Sequence, residues 1–122
     1  DFCLSRGLGD VYKRQMQEEA SHADAIIRRV LFLGAQPNMN REDINVGTDV
    51  VSCLKADLAL EYHVREKLAT GIKLCEEKGD FISRDMLRQQ LSDTEEDHTY
   101  WLEKQLRLIE LIGLQNYIQS QI

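Results

Sequence analysis

Leu91-Ser92-Asp93-Thr94-Glu95-Glu96-Asp97-His98-Thr99-Tyr100-Trp101-Leu102 decides how the rest of the chain is read. Wound as a helix, it puts Leu91, Glu95, His98 and Leu102 on one face, at steps of four, three and four. A carboxylate and an imidazole then sit inside an apolar stripe. Burying either without a partner costs several kcal/mol, roughly. A bound cation removes that cost. The pair recurs near the start of the chain as Glu19-Ala20-Ser21-His22. Two Glu-x-x-His pairs on two apolar stripes point to a metal held between helices.

Outward from this stretch the chain reads as all-α. From Met16 to Leu33 a stripe runs through Glu19, His22, Ala23, Ile26, Val30 and Leu33, and Gly34 ends it. Residues 35–47 hold Pro37, several Asn and Gly47, and read as an extended connection. At about 3.3 Å per residue it reaches over 40 Å, enough to traverse a bundle and leave its flanking helices parallel. Thr48 or Asp49 caps a second helix, which runs to about Glu77. Its stripe is Leu54, Leu58, Glu61, Arg65, Leu68, Ile72 and Cys75. Glu61 is the anomaly there, and pairing with Arg65 one turn on would explain it without a metal. Lys78-Gly79-Asp80 makes a turn. A third helix follows from Phe81 to Ile112, with Leu87, Leu91, Glu95, His98, Leu102, Ile109 and Ile112 inward. Residues 114–122 form a short amphipathic tail helix.

Helix geometry brings the acidic and imidazole groups to one level. Glu61 lies 18 residues before Gly79; Glu95 and His98 lie 16 and 19 after it. In an antiparallel hairpin these heights agree within about one turn, at roughly 1.5 Å per residue. With Glu19 and His22 from the first helix, five donors converge. Mixed carboxylate and imidazole donors suit iron or manganese better than zinc, since no thiolate is near.

Composition narrows the function classes. The 122 residues make one domain, 30% charged and 7% aromatic with one Pro, a balance that suits a helical bundle. A net charge of −6 and a pI of about 5.0 disfavour nucleic acid as partner. No apolar run approaches the roughly 20 residues of a membrane span, and the N-terminus lacks a signal peptide's apolar core. Cys53 and Cys75 stand about 33 Å apart on one helix and cannot pair, as expected of reduced cysteines in a cytoplasmic protein. No nucleophile–base pair and no phosphate loop is present.

Residues 1–15 do not match the rest of the chain. Gly7 and Gly9 should break any helix, and Arg6, Lys13 and Arg14 make the stretch basic. The run from Cys3 to Gln15 resembles a translated sequencing-adapter artefact. The expectation is a non-native or disordered segment at 1–15 and a domain at 16–122. Re-sequencing the source DNA across codons 1–16 tests it.

Several motifs resemble bacterioferritin. They are Glu-Glu-Ala-Ser-His-Ala-Asp (18–24), Arg-Arg-Val-Leu-Phe-Leu-Gly (28–34), Asp-Leu-Ala-Leu-Glu-Tyr (57–62), Asp-Thr-Glu-Glu-Asp-His (93–98), Trp-Leu-Glu (101–103) and Gly-Leu-Gln-Asn-Tyr (113–117). The resemblance covers about residues 16–122. It implies a ferritin-like four-helix bundle with a long crossover and a short fifth helix, the first helix being absent from this chain. It implies a 24-subunit shell that stores iron and oxidises Fe(II) at a di-iron centre with dioxygen or peroxide. By position, Glu19 and Glu95 would bridge the irons, His22 and His98 would bind one each, and Glu61 would be a terminal ligand. The family's haem Met is replaced by Ala20, so no haem ligand is expected from this chain, which resembles the subunit type that partners a haem-binding one. Lacking one helix and its Glu ligand, the chain alone is expected to oxidise Fe(II) poorly. The rival readings are a structural shell subunit with an impaired centre and a rubrerythrin-like di-iron peroxidase.

Overall fold

Local side-chain chemistry sets where the helices begin and end. Asp49 Oδ1 accepts the Ser52 backbone N–H at 2.8 Å, while Ser52 Oγ accepts the Asp49 N–H at 3.0 Å. This reciprocal box supplies partners that the first helical turn lacks. Gly79, at φ 70°, turns the chain out of that helix, and Asp80 at once caps the next through the Ser83 N–H. Gly34, at φ 81°, ends the first helix the same way, and Ala35 N–H closes on Val30 C=O at 3.1 Å.

The computed structural model describes residues 6–122, and every regular element among them is helical. α1 is Arg6–Phe32, α2 Val50–Lys78 and α3 Phe81–Asp93. A π-helical segment, Thr94–Thr99, follows directly and passes into α4, Tyr100–Ile112. α5 is Leu114–Ser120. Among the described residues the architecture is all-α, three long rods with a short C-terminal helix.

Side-chain pairs fix how the rods run. Arg84 meets Glu76, Arg65 meets Glu95 and Tyr62 meets Glu103, so α2 is antiparallel to the rod from α3 to α4. Arg29 meets Ser83, and Glu19 meets His98, so α1 is antiparallel to that rod too. α1 and α2 are therefore parallel, with Tyr12 on Asp57 marking their register. Residues 35–49 contain no helix and carry the chain back along the bundle, as their length predicts. Lys67 Nζ on Glu42, at 2.7 Å, ties this crossover to α2.

Three expectations change. Gly7 and Gly9 do not break the helix: α1 starts at Arg6 and runs through both. Leu8 is fully buried with Val50, Leu54, Leu102 and Tyr117, and Tyr12 packs against the same cluster. That burial outweighs a glycine cost of about 1 kcal/mol each. Residues 1–5 of the expected non-native segment lie outside the described residues. Second, the helix from Phe81 to Ile112 is not α throughout, because Tyr100 N–H bonds back to Glu95 C=O across the π segment. Third, Ile26, Leu33 and Ile112, read as inward, are 36%, 56% and 38% exposed. With Phe32, Phe81 and Ile82 they belong to the apolar side chains left open to solvent.

Candidate metal centre

Three rods deliver the donors. α1 carries Glu18, Glu19 and His22; α2 carries Glu61; the π segment carries Glu95 and His98. Among the described residues, Glu19, Glu61 and His98 form the one group able to hold a cation, each offering an atom within 4.8 Å of the others. His98 is the buried member, its side chain 1% exposed; Glu61 is 17% exposed and Glu19 about half exposed.

The two edges of the His98 ring do different things. Nε2 lies 3.0 Å from Glu18 Oε2, which orients the ring. Nδ1 lies 3.1 Å from Glu19 Oε1 and 3.5 Å from Glu61 Oε1, aligned for a hydrogen bond with neither. A buried nitrogen held between two carboxylates without a proper hydrogen bond fits a cation. An ion about 2.1 Å from each donor needs neighbouring donors roughly 3 Å apart, and the ring nitrogen stands 3.1 and 3.5 Å from the two carboxylates.

Electrostatics says what fills the gap otherwise. Glu19 first, then Glu61, with Glu18 adding to them, push His98 up to about 11 against the opposing cost of burial. Contact with His98 in turn holds Glu19 below the ordinary carboxylate range. Without a metal, an imidazolium therefore balances the carboxylates at neutral pH. A metal entering at Nδ1 takes the place of that proton.

The other two expected ligands stand apart from this cluster. His22 Nε2 lies 2.9 Å from Asp93 Oδ2, and Gln89 donates to the other oxygen of Asp93 at 3.0 Å. The Nδ1 of His22 is 3.8 Å from Glu19 Oε1, so the ring flanks the cluster without closing on it. Glu95 is half exposed and lies 3.9 Å from Arg65 Nε. The step of three from Glu95 to His98 presumes α geometry. A π turn closes on i→i+5 and rotates less per residue, so Glu95 swings off the His98 face. Arg65, expected to pair with Glu61, meets Glu95 instead.

Sequence reading overlooked Glu18, Asp93 and Tyr12. Glu18 had a partial signal, its place four residues before His22 on α1, although its bond is to His98 on the π segment. Asp93 and Tyr12 had none, because their partners His22 and Asp57 come from other helices. Two openings flank the cluster. One of about 200 Å³ is lined by Tyr12, Asp57 and Leu60 with Glu19 and Glu61. The other, of about 410 Å³, is lined by Glu18, His22, Met86 and Asp93. Ala20, beside Glu19, is exposed and carries no ligating atom.

Residues 5–112 match the profile of the ferritin-like domain. The chain is 63% identical over 108 residues to a bacterial ferritin of Neisseria meningitidis, covering 88% of this chain and 70% of the relative. It is 56% identical over 119 residues to a bacterial ferritin of Pseudomonas aeruginosa, covering 95% and 77%. A bacterioferritin of Brucella melitensis is 36% identical over 103 residues, covering 84% and 63%.

Proposed function

The chain belongs to the ferritin-like family, as a bacterioferritin relative, and from that premise we propose that it takes up Fe(II), oxidises it and stores the ferric product. The observation that carries the reading is the buried Nδ1 of His98 set between Glu19 and Glu61. Fe(II) is the substrate. Glu19, Glu61 and His98 bind the first ion, with Glu19 reaching toward a second ion that His22 and Glu95 would hold. Carboxylates suit both oxidation states, because a hard anionic oxygen binds ferric iron more strongly as charge builds.

The protein's own groups prepare the site. Glu18 orients the His98 ring from behind. The His98 proton leaves as the metal arrives, so uptake strengthens as pH rises. Dioxygen or hydrogen peroxide accepts the electrons, and the ferric product passes to a mineral core inside a 24-subunit shell. Ala20 offers nothing to a haem iron, so any haem in the assembly is held by a second subunit type. The proposed setting is the cytoplasm, where thiols such as Cys53 and Cys75 on α2 stay reduced.

The ferritin-like template uses four carboxylates, and the described cluster holds two, with Glu95 a third held outside it. We therefore expect these residues alone to oxidise Fe(II) slowly. The exposed apolar side chains near the α2–α3 turn, with Ala20, favour one second reading: a shell subunit that serves a haem-binding partner. Anaerobic Fe(II) titration, followed by oxygen and measurement of ferric absorbance, tests the main proposal. At least one ion per chain, lost in H98A and in E61A, is the expected result. Iron uptake indifferent to both substitutions would sink it, and no iron bound by the whole assembly would favour the shell-subunit reading.

A further inference from the structure

We propose that Arg65 is a positioning residue that holds Glu95 outside the metal centre, so that a second cation must displace it before Glu95 can bind. The inference rests on the reading of Glu95 as a ligand given above.

Arg65 stands one turn after Glu61 on α2, and its Nε is 3.9 Å from Glu95 Oε1. Its guanidinium lies over the Tyr62 ring, 5.5 Å from the centroid. Tyr62 in turn donates its phenolic hydrogen to Glu103 on α4. The ring is thus fixed to the neighbouring rod and gives the guanidinium a flat seat. The π segment turns Glu95 away from the His98 face and toward that seat. The planar cation accordingly stands where Glu95 would otherwise be an unneutralised carboxylate.

The strength of the contact suits a latch. Both side chains are about half exposed, 44% for Arg65 and 50% for Glu95, so water screens the pair. A divalent ion flanked by Glu19 and His22 offers Glu95 twice the charge of the guanidinium. The first ion, at Glu19, Glu61 and His98, needs no change at Glu95. The second does, and so should bind more weakly than it would with Glu95 free.

Co(II) titration of the full chain under argon tests this, following the cobalt absorption bands. The wild-type chain is expected to fill in two steps. R65M keeps the length of the side chain and removes the charge, so it should tighten the second step about two- to fivefold and leave the first unchanged. R65K, which keeps the charge and loses the flat stack, should fall between. E95Q should remove the second step, and R65M added to E95Q should then change nothing. An unchanged or weakened second step in R65M overturns the proposal, as does a single step in the wild-type chain. So does equal tightening of both steps, which would mark Arg65 as a general repulsive charge. A second step that survives E95Q removes Glu95 from the ligand set and overturns the underlying reading as well.

Discussion

At one end this bundle buries hydrocarbon, and half-way along it buries charge. Leu8, Leu54 and Tyr117 are fully buried where α1, α2 and α5 meet. Two turns beyond Tyr12, the same α1 helix presents Glu19 to His98 and Glu61. The apolar end is held by area removed from water, which is indifferent to pH and to metal. The carboxylate level is held by opposite charge, and which charge fills it, proton or cation, depends on conditions. One set of rods thus makes a fixed end and a responsive middle.

The largest test breaks the fixed end. L8A should lower unfolding free energy by about 2–5 kcal/mol, read from urea midpoints, because it empties a fully buried site. A loss below about 0.5 kcal/mol would place residues 6–15 outside the folded domain. The next test breaks the middle. H98L should destabilise the metal-free chain by about 2–3 kcal/mol at neutral pH, since Glu19 and Glu61 lose their counter-charge. H98L with E61L should recover most of that loss while leaving Co(II) unbound. If the double variant is no more stable than H98L, charge is not what strains this level.

pH sharpens the contrast further. His98 has its pKa raised on folding to about 11. Its contribution to the metal-free fold is complete below its unfolded value near 6.5, and falls away as pH climbs toward 11. Co(II) affinity has the opposite sign: between pH 6 and pH 8 it should rise, approaching about tenfold per unit, as one proton is displaced. A flat affinity profile would contradict the imidazolium. The smallest effect lies back at the apolar end, where the Tyr117 hydroxyl donates to Gln105 at 3.1 Å. Y117F should cost about 1 kcal/mol and leave metal uptake untouched.

Much of this contrast was legible before any coordinates. The second helix shows its stripe in the spacing of Leu54, Leu58, Glu61 and Leu68, and the level of Glu61 with His98 follows from counting residues on either side of Gly79. Both readings depend only on the constant rise and rotation of an α-helix. The same reliance hid the position of Glu95, because a π turn breaks the rotation that the count assumes. Gly7 and Gly9 misled for another reason. Propensity is a local cost of about 1 kcal/mol per residue, and Leu8 overrides it by finding a hollow among residues 50, 54, 102 and 117.

The amino-acid order by itself determined the second helix and its stripe, the turns at Gly34 and Gly79, and the level at which acid meets imidazole, since each rests on local caps and a constant helical rise. Tertiary structure alone decided which donors close into one site and which are taken by a neighbour: His22 by Asp93, Glu95 by Arg65. That choice is a competition between groups brought together by different helices, and it exists only once the rods have packed.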